Sequence, residues 1–180
     1  SGNMNMVVRM GGRQEEDDES EDALRAAARR RCAILVHADP DSLIAAILLA
    51  RYVRQLEGLW VYPQSELMTF FRSIATDLRE DTPIVVVGFT ARPVREMLQT
   101  ASLYRERLVW YDHHEWPPED LEAMKQAIGA DNVHVDSAAG SALAVVLSVC
   151  TRRSRFSDKL VDLLIGRFSA HDYERWGGWW

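Results

Sequence analysis

Four consecutive β-branched residues, Ile84-Val85-Val86-Val87, stand between Pro83 and Gly88. Side chains branched at Cβ crowd a helix and suit a pleated strand. A run that is apolar at every position, rather than at every second one, belongs to a strand covered on both faces. This feature demands a layered fold, and the rest of the chain supplies the layers. Short apolar runs recur as CAILVH (32–37), LWVYP (59–63), RLVWYD (107–112) and NVHVD (132–136), with PIVVVGF (83–89) in the middle of the series. Helix-length segments separate them at 42–58, 65–80, 93–103 and 117–129, and two more, 139–153 and 157–172, follow. Ser42 suits the N-cap and Gly58 the stop of the first helix, Pro93 a first turn, and Gly129 the end of the fourth helix. The expected fold is therefore α/β and doubly wound: a mainly parallel five-stranded sheet with helices on both faces.

Residues 1–20 read as an acidic, disordered tail, with Ser1-Gly2-Asn3 ahead of Met4 reading as a tag-cleavage remnant. Residues 21–31, EDALRAAARRR, read as a helical start with acids early and arginines late. One domain is expected over 21–180. The net charge is −6, and the run EEDDESED (15–22) holds seven acids and no base, so the remainder is one positive charge from neutral. Such a domain carries no electrostatic footprint for duplex DNA, whereas a local site for a small phosphate or a single strand is compatible with it.

Other classes fall away on similar grounds. Cys32 and Cys150 lie far apart with no C-x-x-C spacing, which argues against a disulfide framework and a zinc knuckle. Neither G-x-G-x-x-G nor G-x-x-x-x-G-K-[ST] follows the first strand, which disfavours dinucleotide binding and P-loop hydrolysis. No apolar run reaches the ~20 residues of a membrane span, and no stretch reads as a signal peptide, so a cytoplasmic protein with no membrane partner is expected.

In open α/β sheets ligands bind beyond the carboxyl ends of the strands. There this sequence concentrates its chemistry. His37, Asp39 and Asp41 follow the first strand, Asp112-His113-His114 close the fourth, and Asp136-Ser137 with Gly140-Ser141 follow the fifth. Imidazoles with carboxylates, and no thiolates, suit Mn²⁺, Fe²⁺ or Mg²⁺ rather than structural zinc. Two such clusters could hold a pair of ions that clamp a phosphoryl group and activate water. Taken alone, Asp41 reads as a helix N-cap and His134 as a packing or surface residue.

These segments resemble the DHH phosphoesterases, the group that includes the RecJ exonucleases, nano-RNases, cyclic-dinucleotide phosphodiesterases and family II inorganic pyrophosphatases. LVWYDHHEW is similar to the family signature. ILVHADPDSLIAAILLARYV is similar to its first motif, H-x-D-x-D-G, and IVVVGFTARP to its second, where a strand ends in Asp-Phe-Ser. DSAAGSALAVVL resembles the helix start after the DHH block, and FSAHDYERW the fourth motif. The likeness runs from about residue 32 to 176.

The resemblance implies Mn²⁺ or Mg²⁺, one or two ions, held by His37, Asp39, Asp41, His113 and Asp172. It implies that His114 faces the scissile phosphate, that Asp112 is a ligand or orients a histidine, and that Ser137, Gly140 and Ser141 support a substrate phosphate at a helix N-terminus. It depicts a hydrolase acting on a phosphodiester or phosphomonoester of a nucleotide or short single-stranded nucleic acid. Two departures stand out: Gly88 falls where the second motif has its bridging Asp, and Ser42 where the first has Gly. Gly88 predicts one ion or fewer and slow hydrolysis. It predicts a gain of metal in Gly88→Asp, unless the position needs φ > 0. The chain stops just past the fourth motif, so the DHH-associated second domain is expected to be absent. Trp179 and Trp180 then mark a protein-partner surface or a domain junction, or fold back on the sheet edge. The alternative to an enzyme is a degenerate DHH domain, with an incomplete metal site, acting as a binding or scaffold module.

Overall fold

The computed structural model describes residues 31–149, apart from Tyr52 and Arg54. The acidic tail, residues 21–30 of the expected 21–31 helical start, the end of the 139–153 helix after Val149, the 157–172 helix, Asp172 and the Trp-rich end fall outside the described residues, and Arg31 belongs to a strand.

Five strands form one sheet: β1 (Arg31–His37), β2 (Gln55–Tyr62), β3 (Ile84–Val87), β4 (Leu108–Asp112) and β5 (Val133–Val135). Their order is β2-β1-β3-β4-β5 and every pair is parallel, as the α/β reading expects. The helices are α1 (Pro40–Ala50), α2 (Leu67–Thr69), α3 (Val94–Tyr104), α4 (Pro118–Ile128) and α5 (Ala142–Val149).

The alternation of side chains along the strands builds two cores. Ile34, Val36, Val85, Val87 and Tyr111 point to one face, where Ile44, Leu48 and Leu49 of α1 and Leu143, Val146 and Val149 of α5 cover them. Ala33, Leu35, Ile84, Val86, Leu108 and Trp110 point to the other, under Leu67, Phe70, Phe71, Met97, Met124 and Ile128. All four residues of β3 are buried, each aliphatic side chain contributing about 1.5–3 kcal/mol by leaving water.

Two segments depart from the sequence reading. The first helix ends at Ala50 with Arg51 as its cap, not at Gly58. Gly58 lies inside β2, where a Cβ would come within 2.3 Å of the Trp60 ring. The β1–β2 pairing also skips Glu57, passing from Cys32–Leu56 to Ala33–Gly58. Gly58 therefore marks an irregular strand with a close approach, another role in which glycine is favoured. The second departure is 65–80, which is not one α-helix. A 3₁₀ turn (Gln64–Glu66) leads into α2, then a π turn (Phe70–Ile74) and a 3₁₀ turn (Ala75–Asp77). The wide turn lets the adjacent pairs Leu67-Met68 and Phe70-Phe71 all be buried. Within it the Ser73 hydroxyl donates to the Thr69 carbonyl at 2.6 Å, a side-chain bond of the kind that competes with the regular ladder.

Candidate metal centre

Leaving β1 the chain crosses to β2 on one side, and leaving β3 it crosses to β4 on the other. The connections diverge between β1 and β3, the place where such sheets carry ligands. His37 is the last residue of β1, Asp39 and Asp41 flank the start of α1, Gly88 follows β3, and Asp112 ends β4 ahead of His113 and His114.

Asp39, rather than Ser42, is the N-cap of α1: its Oδ1 accepts from the Ser42 amide at 2.8 Å. Its Oδ2 accepts from the Ser42 hydroxyl at 2.9 Å and pairs with His37 Nδ1. Burial pushes the Asp39 carboxyl up, but the bonds from His37 and Ser42 outweigh it and hold the group below its ordinary value. The expected ligand Asp39 is thus engaged by the protein on both oxygens. His37 is seated edge-on against Phe89 with ring centroids 5.3 Å apart, and its side chain is partly exposed.

The second imidazole follows the same plan. Asp112 is fully buried, and its Oδ1 lies 2.7 Å from His114 Nδ1. Its Oδ2 accepts from the indole N–H of Trp116 at 2.8 Å. Asp112 is thus paired with His114, whose side chain is 43% exposed. Trp116 was not singled out from the sequence. The signal was there, since an indole N–H buried four residues after a buried carboxylate needs a partner.

Asp41 joins the two halves. Its Oδ2 accepts from the Ala142 amide at 2.7 Å and its Oδ1 from the Leu143 amide at 3.2 Å, so it caps α5. The same Oδ2 stands 3.6 Å from His113 Nε2. Burial raises the Asp41 carboxyl above its ordinary value against those two amide bonds, and the charge of Asp39 adds to the rise. The His113 and His114 rings lie 4.3 Å apart between centroids.

The residues expected to support a phosphate are placed as follows. Ser137 opens a 3₁₀ turn (Ser137–Ala139) and Gly140 follows it with φ +80°. The Ser141 hydroxyl accepts from the Ala144 amide at 3.0 Å. With Ala142 and Leu143 bound to Asp41, the first amides of α5 already have acceptors in the protein. A phosphate could use them only by displacing Asp41.

Gly88 has φ +85°, and its amide donates to the Tyr111 carbonyl at 2.8 Å. A Cβ there would fall 1.9 Å from Ser42 Oγ and 3.2 Å from the His37 Cβ. The condition attached to Gly88→Asp is met: the position uses the left-handed region and its side-chain space is filled.

A divalent ion suits this donor set. Donor atoms of Asp112, His113 and His114 lie within 4.8 Å of one another, whereas the expected ligands His37, Asp39 and Asp41 join no such group of three among the described residues. The 3.6 Å between His113 and Asp41 is a span that two ligands about 2.1 Å from one ion can make. No buried side-chain polar atom among the described residues lacks a hydrogen-bond partner. Among them, too, no helix is long and apolar enough to cross a membrane. No protein-family model matches the sequence, and no curated protein is significantly similar to it.

Proposed function

We propose that the domain is a divalent-metal-dependent phosphoesterase of the DHH type, acting on a phosphodiester or phosphomonoester of a nucleotide or short single-stranded oligonucleotide. One observation carries the reading. At the carboxyl edge of the sheet two histidines, His37 and His114, are each paired through Nδ1 with a carboxylate, and a third, His113, stands 3.6 Å from Asp41. Asp–His pairs of this kind set the tautomer and aim of metal-binding imidazoles.

His37, Asp41 and His113 would hold Mn²⁺ or Mg²⁺, with Asp172 as a further ligand. An ion there supplies Lewis acidity toward a phosphoryl oxygen and a nucleophilic water at neutral pH. The chain's own part is orientation. Asp39 and Asp112 hold their imidazoles by Nδ1. His114, half-exposed beside His113, can as the imidazolium, with Nδ1–H on Asp112, donate Nε2–H to a phosphate oxygen and pass that proton to the departing oxygen, becoming neutral imidazole.

A second reading, a binding or scaffold module with an incomplete metal site, is favoured by the Ser42–Gly88 contact. That contact fills the place from which a residue after β3 would reach the ions. The two part in one assay. Chain purified without chelator is tested for metal content and for turnover of a short oligonucleotide with millimolar MnCl₂. The enzyme reading expects Mn-dependent turnover, a loss of about 100-fold or more in His114→Ala with metal retained, and loss of both in His113→Ala. Metal-free wild-type protein without turnover would leave the scaffold reading.

A further inference from the structure

We propose that Ser42 is a positioning residue for His37, acting through Asp39, and that the side-chain space left by Gly88, itself at φ +85°, is what the Ser42 hydroxyl occupies.

Ser42 is fully buried in the first turn of α1. Its hydroxyl donates to Asp39 Oδ2, the oxygen that also binds His37 Nδ1, while its amide donates to Oδ1. One residue therefore holds both carboxylate oxygens. An ionised carboxylate only accepts hydrogen bonds, so Nδ1 of His37 carries the proton and the Nε2 lone pair is left for the site. Without the hydroxyl, Asp39 keeps its cap bond to the amide but loses the bond that seats Oδ2 against the imidazole.

Gly88 completes the arrangement. Its amide is fixed to the Tyr111 carbonyl, so its backbone cannot withdraw from Ser42 without breaking that bond. A Cβ on Gly88 would lie 1.9 Å from Ser42 Oγ and 2.8 Å from Ser42 Cβ. Ser42 thus fills the volume of the absent side chain, and that packing holds its hydroxyl on Asp39. Ser42 and Gly88, the two departures from the DHH motifs, share one space.

The positioning role stands on geometry alone, and its consequence for metal affinity rests on the function proposed above. The test uses the full-length chain labelled with ¹⁵N and free of metal. Side-chain nitrogen spectra at pH 8 should show His37 protonated at Nδ1 only. In Ser42→Ala, with unchanged far-UV circular dichroism, His37 should become a mixture of tautomers, and Ser42→Thr, which keeps the hydroxyl, should restore the single form. The dissociation constant for Mn²⁺ should rise about 10-fold or more in Ser42→Ala. A single Nδ1-protonated His37 in Ser42→Ala overturns the positioning role. A tautomer mixture with unchanged Mn²⁺ binding supports positioning and counts against the metal reading instead.

Discussion

The carboxylate of Asp41, in the first turn of α1, accepts the amide of Ala142 at 2.7 Å and so caps a helix 101 residues further along the chain. Its Oδ2 also faces His113 at 3.6 Å. One side chain thus serves both the fold and the candidate site, and substitutions can separate the two. Asp41→Asn keeps an acceptor for one of the two α5 amides and should cost about 1 kcal/mol in urea unfolding, while weakening Mn²⁺ binding at least 10-fold. Asp41→Ala leaves the Ala142 and Leu143 amides unpaired and should cost about 1–2 kcal/mol as well. Equal Mn²⁺ affinity in wild type and Asp41→Asn would remove Asp41 from the ligand set.

Ser42 and Gly88 should behave as a coupled pair in a double-mutant cycle. Gly88→Ala adds a Cβ at φ +85° and 1.9 Å from the serine hydroxyl, so it should destabilise by about 2–4 kcal/mol. In a Ser42→Gly background the collision is gone and only the backbone term, about 1–2 kcal/mol, should remain. Unfolding midpoints of the four proteins give the coupling energy directly. Additive effects would show that the two positions do not share this space.

His134 gives the stability a pH dependence. Burial lowers its imidazole to about 4 from 6.5, against the opposing influence of Asp131, and its ring stacks on Tyr111 with centroids 4.9 Å apart. Between pH 4 and 6.5 the unfolded chain binds a proton here that the folded one does not. Stability therefore falls as pH drops below about 6.5 and this contribution levels off below about 4, with a full size of up to ~3 kcal/mol. Other carboxyl groups titrate in the same range, so His134→Phe, which keeps a stacked ring, provides the reference. The wild type should lose about 1–3 kcal/mol more than His134→Phe between pH 7 and pH 4.5 in denaturant unfolding. Parallel pH profiles would place His134 in solvent.

Much of this architecture was legible because it rests on local periodicity. The β3 run from Ile84 to Val87 could only be a doubly covered strand, and once parallel strands were in place, His37 and Asp112 had to end two of them. What was not legible depends on contacts distant in sequence. Gly58 reads as a helix stop from its neighbours, and its place inside β2 against the Trp60 ring depends on a pairing with β1 that local sequence does not show. Ser42 is the expected cap, and Asp39 takes that place because the helix starts two residues earlier, at Pro40. Four adjacent apolar residues in 67–71 match no single helix face, and the π turn resolves the conflict. At the site, the D-H-H triplet announced a cluster. The sharing of labour within it, Asp112 on His114 and Asp41 on α5, lies in partners that spacing does not reveal.

The central claim is that the His and Asp groups at this edge hold a divalent ion. Calorimetric titration of Mn²⁺ into the full chain, with His113→Ala in parallel, tests it most directly. The account predicts binding of one ion per wild-type chain and loss of that binding in the folded His113→Ala protein. No binding up to millimolar Mn²⁺ in the wild type, or undiminished binding in His113→Ala, would contradict it.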